Sequence, residues 1–450
     1  MDNPGAGLSR ALAAYASRLR YEQLPSEAVD FTKLCVLDWL GSALAGENQP
    51  PVRMIRELAM EMGGNRQAEL ISGGRTSAPL AALVNGAASH VVELDDIHKA
   101  SIVHAATVVI PAALAVAQWR RRSGKELLAA IVAGYEVCFR IGEAVSPSHY
   151  VYWHNTATCG TFGAAAAAGV LLGLTEDQFV HALGNAGTQA AGLWEFIVDE
   201  AMSKQLHTGK AAMNGLLAAM LAQRGFTGAS RILEGERGFF TAMSEAADPA
   251  KITAGLGETC KIMENSFKIH ASCRHTHHAI DMILELMKEH RFASSDIQEI
   301  SVGTYQAALS ITDNPHPRTV YAAKFSLQFC CAMAAAKQRA SLSDFREEAL
   351  SDPEIATLMK RVRLAVDPAM EAAYPRKWGA TIEIALTNGK RLARKADYPL
   401  GDPEAPVTGE ELIEKFRGLA EDRPPEARQR YIESVMNLDR LASVESLLAE

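Results

Sequence analysis

The sequence lacks the short motifs that mark most metal, nucleophile and phosphate sites. Its seven cysteines form no CxxC pair and lie mostly in apolar segments, which indicates reduced, buried thiols. There is no HExxH spacing and no GxSxG elbow, and Gly184-Asn-Ala-Gly187 has the wrong spacing for a phosphate loop. These absences argue against a zinc site of the motif type, a GxSxG hydrolase and a P-loop enzyme.

Basic charge and long apolar runs are also scarce. The formal net charge is -8 and the longest basic run is Arg120-Arg-Arg122, which argues against a nucleic-acid partner. The Ala- and Gly-rich run from Gly160 to Gly173 is too short to span a bilayer, so no membrane partner is expected. Residues 1–7 lack the basic and apolar regions of a signal peptide, so we expect a cytoplasmic protein.

What the sequence does contain is helical periodicity, in a chain long enough for two domains. With 450 residues, 48% of them hydrophobic, the chain is typical of a folded protein with more than one core. Strand signals are almost absent up to about residue 260. The periodicity predicts two helices within 9–46 and further helices over 51–62, 77–93, 107–122, 125–145, 161–172, 176–191 and 204–224. Pro111 is expected in the first turn of its helix, where a missing N–H is harmless.

Beyond residue 260 the pattern becomes mixed. Alternating apolar residues predict strands over 298–305, 361–366, 380–386 and 390–394. Asn388-Gly389 is a favoured hairpin turn between the last two. Helices near 281–288 and 322–339 complete a small α+β region, and the chain is helical again from residue 408 onward.

The segment 265–285 has an unusual density of histidine. Four of the thirteen histidines lie within nine residues: His270, His275, His277 and His278. Lys268 and Arg274 lie among them, and helical periodicity follows, which predicts a loop that leads into a buried helix. Because helix N-termini and cations attract anions and histidine titrates near neutrality, the segment favours carboxylate binding and proton transfer.

Three further segments carry reactive side chains beside small-residue helices, namely 93–104, 152–156 and 203–210. Polar residues among Gly and Ala are expected to be partly buried, with shifted pKa values. Other interpretations stay open for the first segment. Asp95 and Asp96 are also suited to helix capping, and His104 to a structural role in the core. Asp95, Asp96, His98 and His104 include metal-ligand types, but no motif spacing supports a metal, and none is expected.

Together these segments resemble the MmgE/PrpD family, which includes 2-methylcitrate dehydratase, cis-aconitate decarboxylase and iminodisuccinate epimerase. The resemblance is collinear over about residues 5–445. It is carried by Glu93-Leu-Asp-Asp-Ile-His98, the stretch from His104 to Ala115, His154-Asn-Thr156, Gly160-Thr-Phe-Gly-Ala-Ala165, Lys204-Gln-Leu-His-Thr-Gly-Lys-Ala-Ala212, Gly225-Phe-Thr-Gly228, Leu233-Glu-Gly235, Cys273-Arg-His-Thr-His277 and Ala323-Lys-Phe-Ser326.

The resemblance implies a mainly α fold, with a large all-α domain (1–265 and 405–450), a smaller α+β lid domain (266–404) and an active site between them. It implies a homodimer, a small anionic carboxylate substrate, and chemistry without a metal or organic cofactor. The positions matching the family's active site are His104, His154, Lys204 and His277, with the acidic loop from Glu93 to Asp96 nearby.

Several positions depart from cis-aconitate decarboxylase. Glu93 stands where an aspartate is expected, and His104-Ala-Ala replaces His-Pro-Ser. The loop between the acidic residues and His104 is one residue longer, and Ile311 or a neighbour takes the place of a tyrosine. These departures argue against decarboxylase activity.

The resulting hypothesis is a cofactor-independent lyase that dehydrates a 2-methylcitrate-like hydroxy acid. Carboxylates would be bound by Lys204, Arg274 and Lys268, with Glu93 and Asp96 also lining the substrate site. A neutral histidine or Asp95 would take a proton, and another histidine would protonate the leaving hydroxyl. The sequence leaves base and acid unassigned among His104, His154, His275 and His277.

Other activities stay open beside dehydration. The same groups suit an epimerase or isomerase of an iminodisuccinate-like dicarboxylate, or a cis-aconitate-type decarboxylase. From different classes, a metal-dependent hydrolase and a non-catalytic carboxylate-binding protein remain alternatives.

Overall fold

The computed structural model describes residues 7–448, in two compact units. Unit 1 contains Asp95–Asn265 and the described parts of Met1–Val91 and Thr408–Glu450, and unit 2 contains Val92–Leu94 and Ser266–Val407. Most of the N-terminal segment on which the signal-peptide expectation rests, residues 1–6, lies outside the described range.

Unit 1 begins with a long series of helices, which confirms the prediction of a mainly α chain. In chain order the elements are α1 (Leu8–Arg18), α2 (Ser26–Gly46), α3 (Pro50–Met62), β1 (Ala68–Glu69), β2 (Arg75–Thr76), α4 (Ala78–His90), α5 (Ala106–Arg120), α6 (Gly124–Val145), α7 (Asn155–Leu172), α8 (Glu176–Gly187), α9 (Ser203–Gln223), α10 (Phe239–Met243) and α11 (Ala250–Thr253).

Small residues let the central helices of unit 1 approach closely. Helix α7 packs against α6 and α9, and nearly all of its Ala- and Gly-rich length is buried. A Cβ atom on Gly163 would lie 2.7 Å from the carbonyl oxygen of Gly134 on α6, so this approach requires glycine. The resulting core is dense, and polar side chains at its helix ends are enclosed.

Three local expectations for this region were wrong. Strands β1 and β2 form a short antiparallel pair around Gly73 and Gly74, which have φ of +84° and +86°, and two-residue strands are too short to show alternation. Pro111 is the sixth residue of α5 rather than part of its first turn, because the helix begins at Ala106, whose N–H is capped by Asp96. Helix α7 begins at Asn155, six residues earlier than expected, which makes His154 its N-cap.

Unit 2 combines short helices with one sheet, as predicted. Its elements are α12 (His277–His290), β3 (Ile297–Thr304), α13 (Gln306–Thr312), α14 (Val320–Ala323), α15 (Leu327–Lys337), α16 (Glu347–Leu350), α17 (Pro353–Met359), β4 (Val362–Val366), α18 (Pro368–Ala373), β5 (Ala380–Leu386) and β6 (Arg391–Ala396). The sheet order is β4-β3-β5-β6, with β4 parallel to β3 and the other pairs antiparallel. Helix α12 packs on β5 and β6.

The β5–β6 hairpin has the predicted turn sequence. Asn388 and Gly389 lie in the loop, and Gly389 takes φ of +85°, a conformation that glycine adopts at little cost. The cross-strand register runs from Ala385 opposite Arg391 to Ala380 opposite Ala396.

The C-terminal segment adds α19 (Gly409–Leu419) and α20 (Pro425–Met436) to unit 1. Both helices pack against α2, and Phe416 is buried there. The N- and C-terminal segments therefore share one helical core. Within residues 7–448, no helix has both the length and the apolar character that crossing a bilayer needs.

Candidate active site

A carboxylate held between two imidazoles forms the centre of a buried polar cluster in unit 1. Helix α4 ends at His90, and Asp95 follows after a short loop. Oδ2 of Asp95 lies 2.7 Å from Nδ1 of His90 and 3.0 Å from Nδ1 of His104. Both Asp95 and His90 are fully buried, and His104 is 8% exposed. The arrangement orients two rings around one negative charge.

The same contacts determine the protonation of Asp95. Burial alone would raise its pKa, but the neighbouring His90 and His104 outweigh burial and hold the pKa well below its ordinary value. Asp95 is therefore ionised near neutrality and makes a weak base. This geometry disfavours the expectation that Asp95 takes the substrate proton, and favours a role in orienting the histidines.

His104 has a defined tautomer. Its Nδ1 lies within hydrogen-bonding distance of Oδ2 of Asp95 and 2.6 Å from the carbonyl oxygen of Asp96, both of which can only accept. The proton must therefore lie on Nδ1. Nε2 is then the nitrogen that can take up and release a proton. The backbone N–H of His104 donates to Oγ1 of Thr156, so the chain is fixed as well as the ring.

Asp96 has a different environment from its neighbour. Its Oδ1 accepts the N–H of Ala106 at the start of α5, and its Oδ2 accepts from Tyr135 Oη and Asn265 Nδ2, each at 2.7 Å. Burial is the largest influence and raises the pKa of Asp96 to about 7, against the effect of these donors. The contacts favour the helix-capping interpretation for Asp96, and its predicted part in substrate binding stays a prediction.

His154 lies in the same cluster and is held neutral. Burial, followed by the charges of Lys204, His207, His90 and His104, lowers its pKa well below the ordinary value. Its Nδ1 is 3.4 Å from Nδ1 of His207, and its ring packs on Trp194 with centroids 5.0 Å apart. Nε2 of His154 is buried and has no hydrogen-bond partner among the described residues. The neutral ring has a lone pair that can accept a proton, and burial makes it a weaker base than an exposed histidine.

Lys204 supplies the positive charge of this cluster. It is the second residue of α9 and only 2% exposed. A buried ammonium group attracts anions strongly, since its charge is poorly screened. The structure thus brings Asp95, His104, His154 and Lys204 into unit 1 as parts of one buried polar region.

Two residues of this cluster were missed as functional candidates. His90 stands five residues before Asp95, at the end of a helix, and no standard motif has this spacing. His207 lies three residues after Lys204 on α9, a spacing that places both on one side of the helix. That spacing was the available sign that His207 lies beside Lys204. By itself, a histidine at such a position is most simply interpreted as structural.

In unit 2, Glu93 is held by a lysine and a tyrosine. Nζ of Lys268 donates to the Glu93 carbonyl at 2.9 Å and lies 3.4 Å from Oε2, while Tyr321 Oη donates to Oε1 at 2.9 Å. Glu93 has φ of +60°, which is unusual for a residue with a side chain and concentrates at functional sites. Tyr321 was not anticipated from the sequence. The Glu93 carboxylate is thus held by one ammonium group and one hydroxyl. Substrate binding by Glu93 and Lys268 stays a prediction.

His277 begins α12, as the sequence predicted for the histidine-rich segment. Its Nδ1 accepts from Arg274 Nη1 at 3.1 Å, and its Nε2 donates to the carbonyl of Ser272 at 3.3 Å. Burial, then the charges of Arg274, His270 and Lys268, lowers the pKa of His277 well below the ordinary value. Both ring nitrogens are engaged within unit 2, and a catalytic role for His277 stays a prediction.

His275 lies among aromatic side chains of unit 2. Its Nδ1 is 2.6 Å from Tyr305 Oη, and its ring stacks on Trp378 with centroids 4.6 Å apart. The ring is 3% exposed. This environment favours packing over proton transfer for His275.

Arg274 makes contacts that are typical of a structural arginine. Its Nη2 lies 2.5 Å from Oδ1 of Asp402, and its Nη1 also donates to the carbonyls of Leu400 and Phe267. Arg274 and Asp402 are 2% and 0% exposed. The guanidinium is therefore neutralised within unit 2, which leaves less of its charge for a substrate carboxylate.

Replacing Arg274 by methionine is expected to reduce the free energy of unfolding by about 3–5 kcal/mol, because the buried ion pair with Asp402 would be broken. The double variant Arg274→Met/Asp402→Leu should recover most of this loss. Urea unfolding of the three proteins measures the effect. A raised KM with unchanged stability in Arg274→Met would instead identify a substrate-binding arginine.

Buried histidines also make stability depend on pH. Burial lowers the pKa of His149, His207 and His278 to about 4. Between pH 6.5 and 4, these histidines are therefore protonated in the unfolded chain and neutral in the folded chain. The unfolding free energy is therefore expected to fall as pH drops from 6.5 toward 4, by about 1.4 kcal/mol per pH unit for the fully buried His278. Urea unfolding at pH 7, 6 and 5 tests this, and His278→Leu should show a shallower slope by that amount.

Two groups within the described residues could supply three metal ligands each, His90 with Asp95 and His104, and His98 with Glu143 and Glu264. In the first group, Nδ1 of His90 and Nδ1 of His104 both donate hydrogen bonds to the Asp95 carboxylate. In the second, the Lys261 ammonium lies 2.9 Å from Glu143 and 3.1 Å from Glu264 and already balances their charge. An ion at either group would have to displace these protons and contacts, because ligand atoms must be deprotonated and face the ion.

Comparison with known proteins agrees with the resemblance inferred from the sequence. The family models for the MmgE/PrpD N-terminal and C-terminal domains match residues 10–251 and 270–440. The cis-aconitate decarboxylase of Aspergillus terreus is 28% identical, over 99% of this chain and 96% of that protein. The cis-aconitate decarboxylase of Homo sapiens is 24% identical, over 92% and 88%. The 2-methylcitrate dehydratase of Salmonella typhimurium is 24% identical, over 94% and 92%.

The two family models together span most of the chain, in the order in which its segments carry the resemblance. Dehydratases and decarboxylases are both lyases, and relatives of both kinds align along nearly the whole length. The chain belongs to the MmgE/PrpD family and is an enzyme of the lyase class.

Proposed function

We propose that this enzyme dehydrates a small hydroxylated di- or tricarboxylate of the 2-methylcitrate type, without a cofactor. The observation that carries the proposal is one buried cluster in which two histidines have different partners. His104 faces the ionised Asp95, and His154 is kept neutral. Two histidines with such different surroundings in one site suit the roles of an acid and a base. The 2-methylcitrate dehydratase among the relatives supports this substrate type.

The proposed reaction is an elimination of water. His154 takes the proton from the carbon next to a substrate carboxylate. His104, stabilised as an imidazolium by Asp95, gives its Nε2 proton to the leaving hydroxyl. The C–O bond breaks, a C=C bond forms and water leaves, so protons and charge balance. Lys204 binds the carboxylate and stabilises the negative charge that develops as the proton departs.

A second candidate is decarboxylation, which the cis-aconitate decarboxylases among the relatives favour. In that reaction the C–C bond to a carboxylate breaks, CO₂ leaves, and a histidine protonates the carbon. The same cluster could supply this proton. Glu93 and the Ala105-Ala106 pair, which replace residues expected for the decarboxylase, are the reason to rank it second.

Incubation with a panel of citrate-like, tartrate-like and aspartate-derived acids in D₂O separates the candidates. A dehydratase gives an alkene, seen by ultraviolet absorbance and proton NMR, without CO₂. A decarboxylase releases CO₂ and leaves deuterium on the product carbon, and an epimerase returns labelled substrate of inverted configuration. Failure to convert any hydroxy acid to an alkene overturns the proposal of a dehydratase.

Other expectations remain proposals beside this one. His277→Gln and His275→Gln variants, assayed with the acid found in the panel, test whether these unit 2 histidines take part in the reaction.

We also propose a homodimer in the cytoplasm, with no nucleic-acid or membrane partner. Light scattering of the purified protein measures the assembly.

A further inference from the structure

We propose that His90 is a positioning residue for the reaction: its Nδ1–H fixes the Asp95 carboxylate, so that the carboxylate holds His104 in place. This inference rests on the proposed function, since it assigns the support of the proposed acid. His90 touches Asp95 and neighbouring rings and acts through them.

The geometry of Asp95 makes the two histidines interdependent. A single oxygen, Oδ2, accepts from Nδ1 of His90 at 2.7 Å and from Nδ1 of His104 at 3.0 Å. The other oxygen, Oδ1, has no hydrogen-bond partner among the described residues. Without His90, the carboxylate could rotate, or present either oxygen to His104. With His90, one orientation is selected.

Packing alone does not explain a histidine at this position. Nε2 of His90 is buried and has no partner within residues 7–448, and leaving a buried polar atom unpaired is destabilising. An apolar side chain would avoid that cost and fill similar space. A histidine here is therefore explained better by its other nitrogen, whose proton binds Asp95.

The position of the ring gives His90 a second effect. Its centroid lies 5.0 Å from that of His104 and 5.7 Å from that of His154. Two positive charges about 5 Å apart repel strongly where screening is weak. An N–H on Nε2 of His90 would have no acceptor among the described residues, so this ring acts through Nδ1 while it packs beside the proposed acid and base.

The test compares two replacements of His90 that differ in one donor. In His90→Asn the amide nitrogen can occupy the place of Nδ1 and still donate to Asp95, whereas His90→Leu fills the space without a donor. We expect His90→Leu to lower kcat by about 10²-fold with little change in KM, as misorientation of a catalytic group does. His90→Asn should recover most of that loss. Equal kcat values for the two variants overturn the inference.

A double-mutant cycle keeps the test informative if His90→Leu is less stable. On the Asp95→Asn background, His90→Leu should reduce kcat little further, because the residue through which it acts is already changed. Fully multiplicative losses would show that His90 acts by another route and overturn the inference. Wild-type turnover with an unaffected His90→Leu variant contradicts this inference alone. Absence of wild-type turnover throughout the acid panel contradicts the proposed function and the inference with it.

Discussion

Replacement of His104 by glutamine is expected to lower kcat by about 10²- to 10⁴-fold, because glutamine can still contact Asp95 but cannot exchange a proton. KM should change much less, since Lys204 remains to bind the substrate carboxylate. Steady-state kinetics with the acid identified in the panel measure both constants. The expectation follows from the tautomer of His104, whose Nδ1 faces only acceptors and whose Nε2 is therefore the nitrogen that exchanges.

His181→Gln is the matched control for that variant. His181 is also a histidine of unit 1, but it lies on α8, is partly exposed, and contacts the carbonyl of Gly228 at 3.2 Å. Its replacement should leave kcat unchanged. If His104→Gln folds normally and retains the kcat of His181→Gln, His104 is not the proton donor.

Asp95→Asn is expected to lower kcat by about 10²- to 10⁴-fold as well. An asparagine cannot carry the negative charge that stabilises the His104 imidazolium, and its amide cannot accept from both His90 and His104 in the same way. Thermal unfolding should change less than activity, since the side chain keeps its size. The measurement is kcat and KM alongside the unfolding temperature.

The adjacent Asp96 offers a control of identical chemistry. Because its oxygens bind Ala106, Tyr135 and Asn265, Asp96→Asn should mainly lower the unfolding temperature and reduce kcat much less. The two substituted residues are neighbours in the sequence but have different hydrogen-bond partners in the fold. A larger loss of kcat in Asp96→Asn than in Asp95→Asn would reverse the roles assigned to these carboxylates.

The charges of the unit 1 cluster fit an anionic substrate. Asp95 balances at most one protonated histidine, and Lys204 adds a buried positive charge. A substrate carboxylate placed beside these groups would gain from the low local screening. An acidic protein with net charge -8 can therefore bind an anion through a few well-placed groups.

Histidine density was a poor guide to the proposed centre. The segment 265–285 has the highest density, yet His275 packs against Trp378 and Tyr305, and His270 pairs with Asp281 at 2.7 Å. In unit 1 the histidines come from four separate stretches of chain: His90 ends α4, His104 and His154 precede α5 and α7, and His207 lies within α9. Sequence proximity concentrates residue types, whereas the fold decides which of them share a carboxylate.

The sequence alone determined the class of fold and the candidate segments. Helical periodicity located nearly every long helix, and an Asn-Gly pair located the β5–β6 hairpin, because these features depend on local spacing. The collinear motifs also determined the family. These properties need no knowledge of which distant residues meet.

Only the tertiary structure decided which partners the side chains of those segments have. It separated Asp95, shared by two imidazoles, from Asp96, which caps α5, and it brought in His90 and His207. The physical reason is that protonation and orientation depend on burial and on partners far away in the chain. Neighbouring carboxylates with the same local sequence context therefore acquire different hydrogen-bond partners once the helices pack.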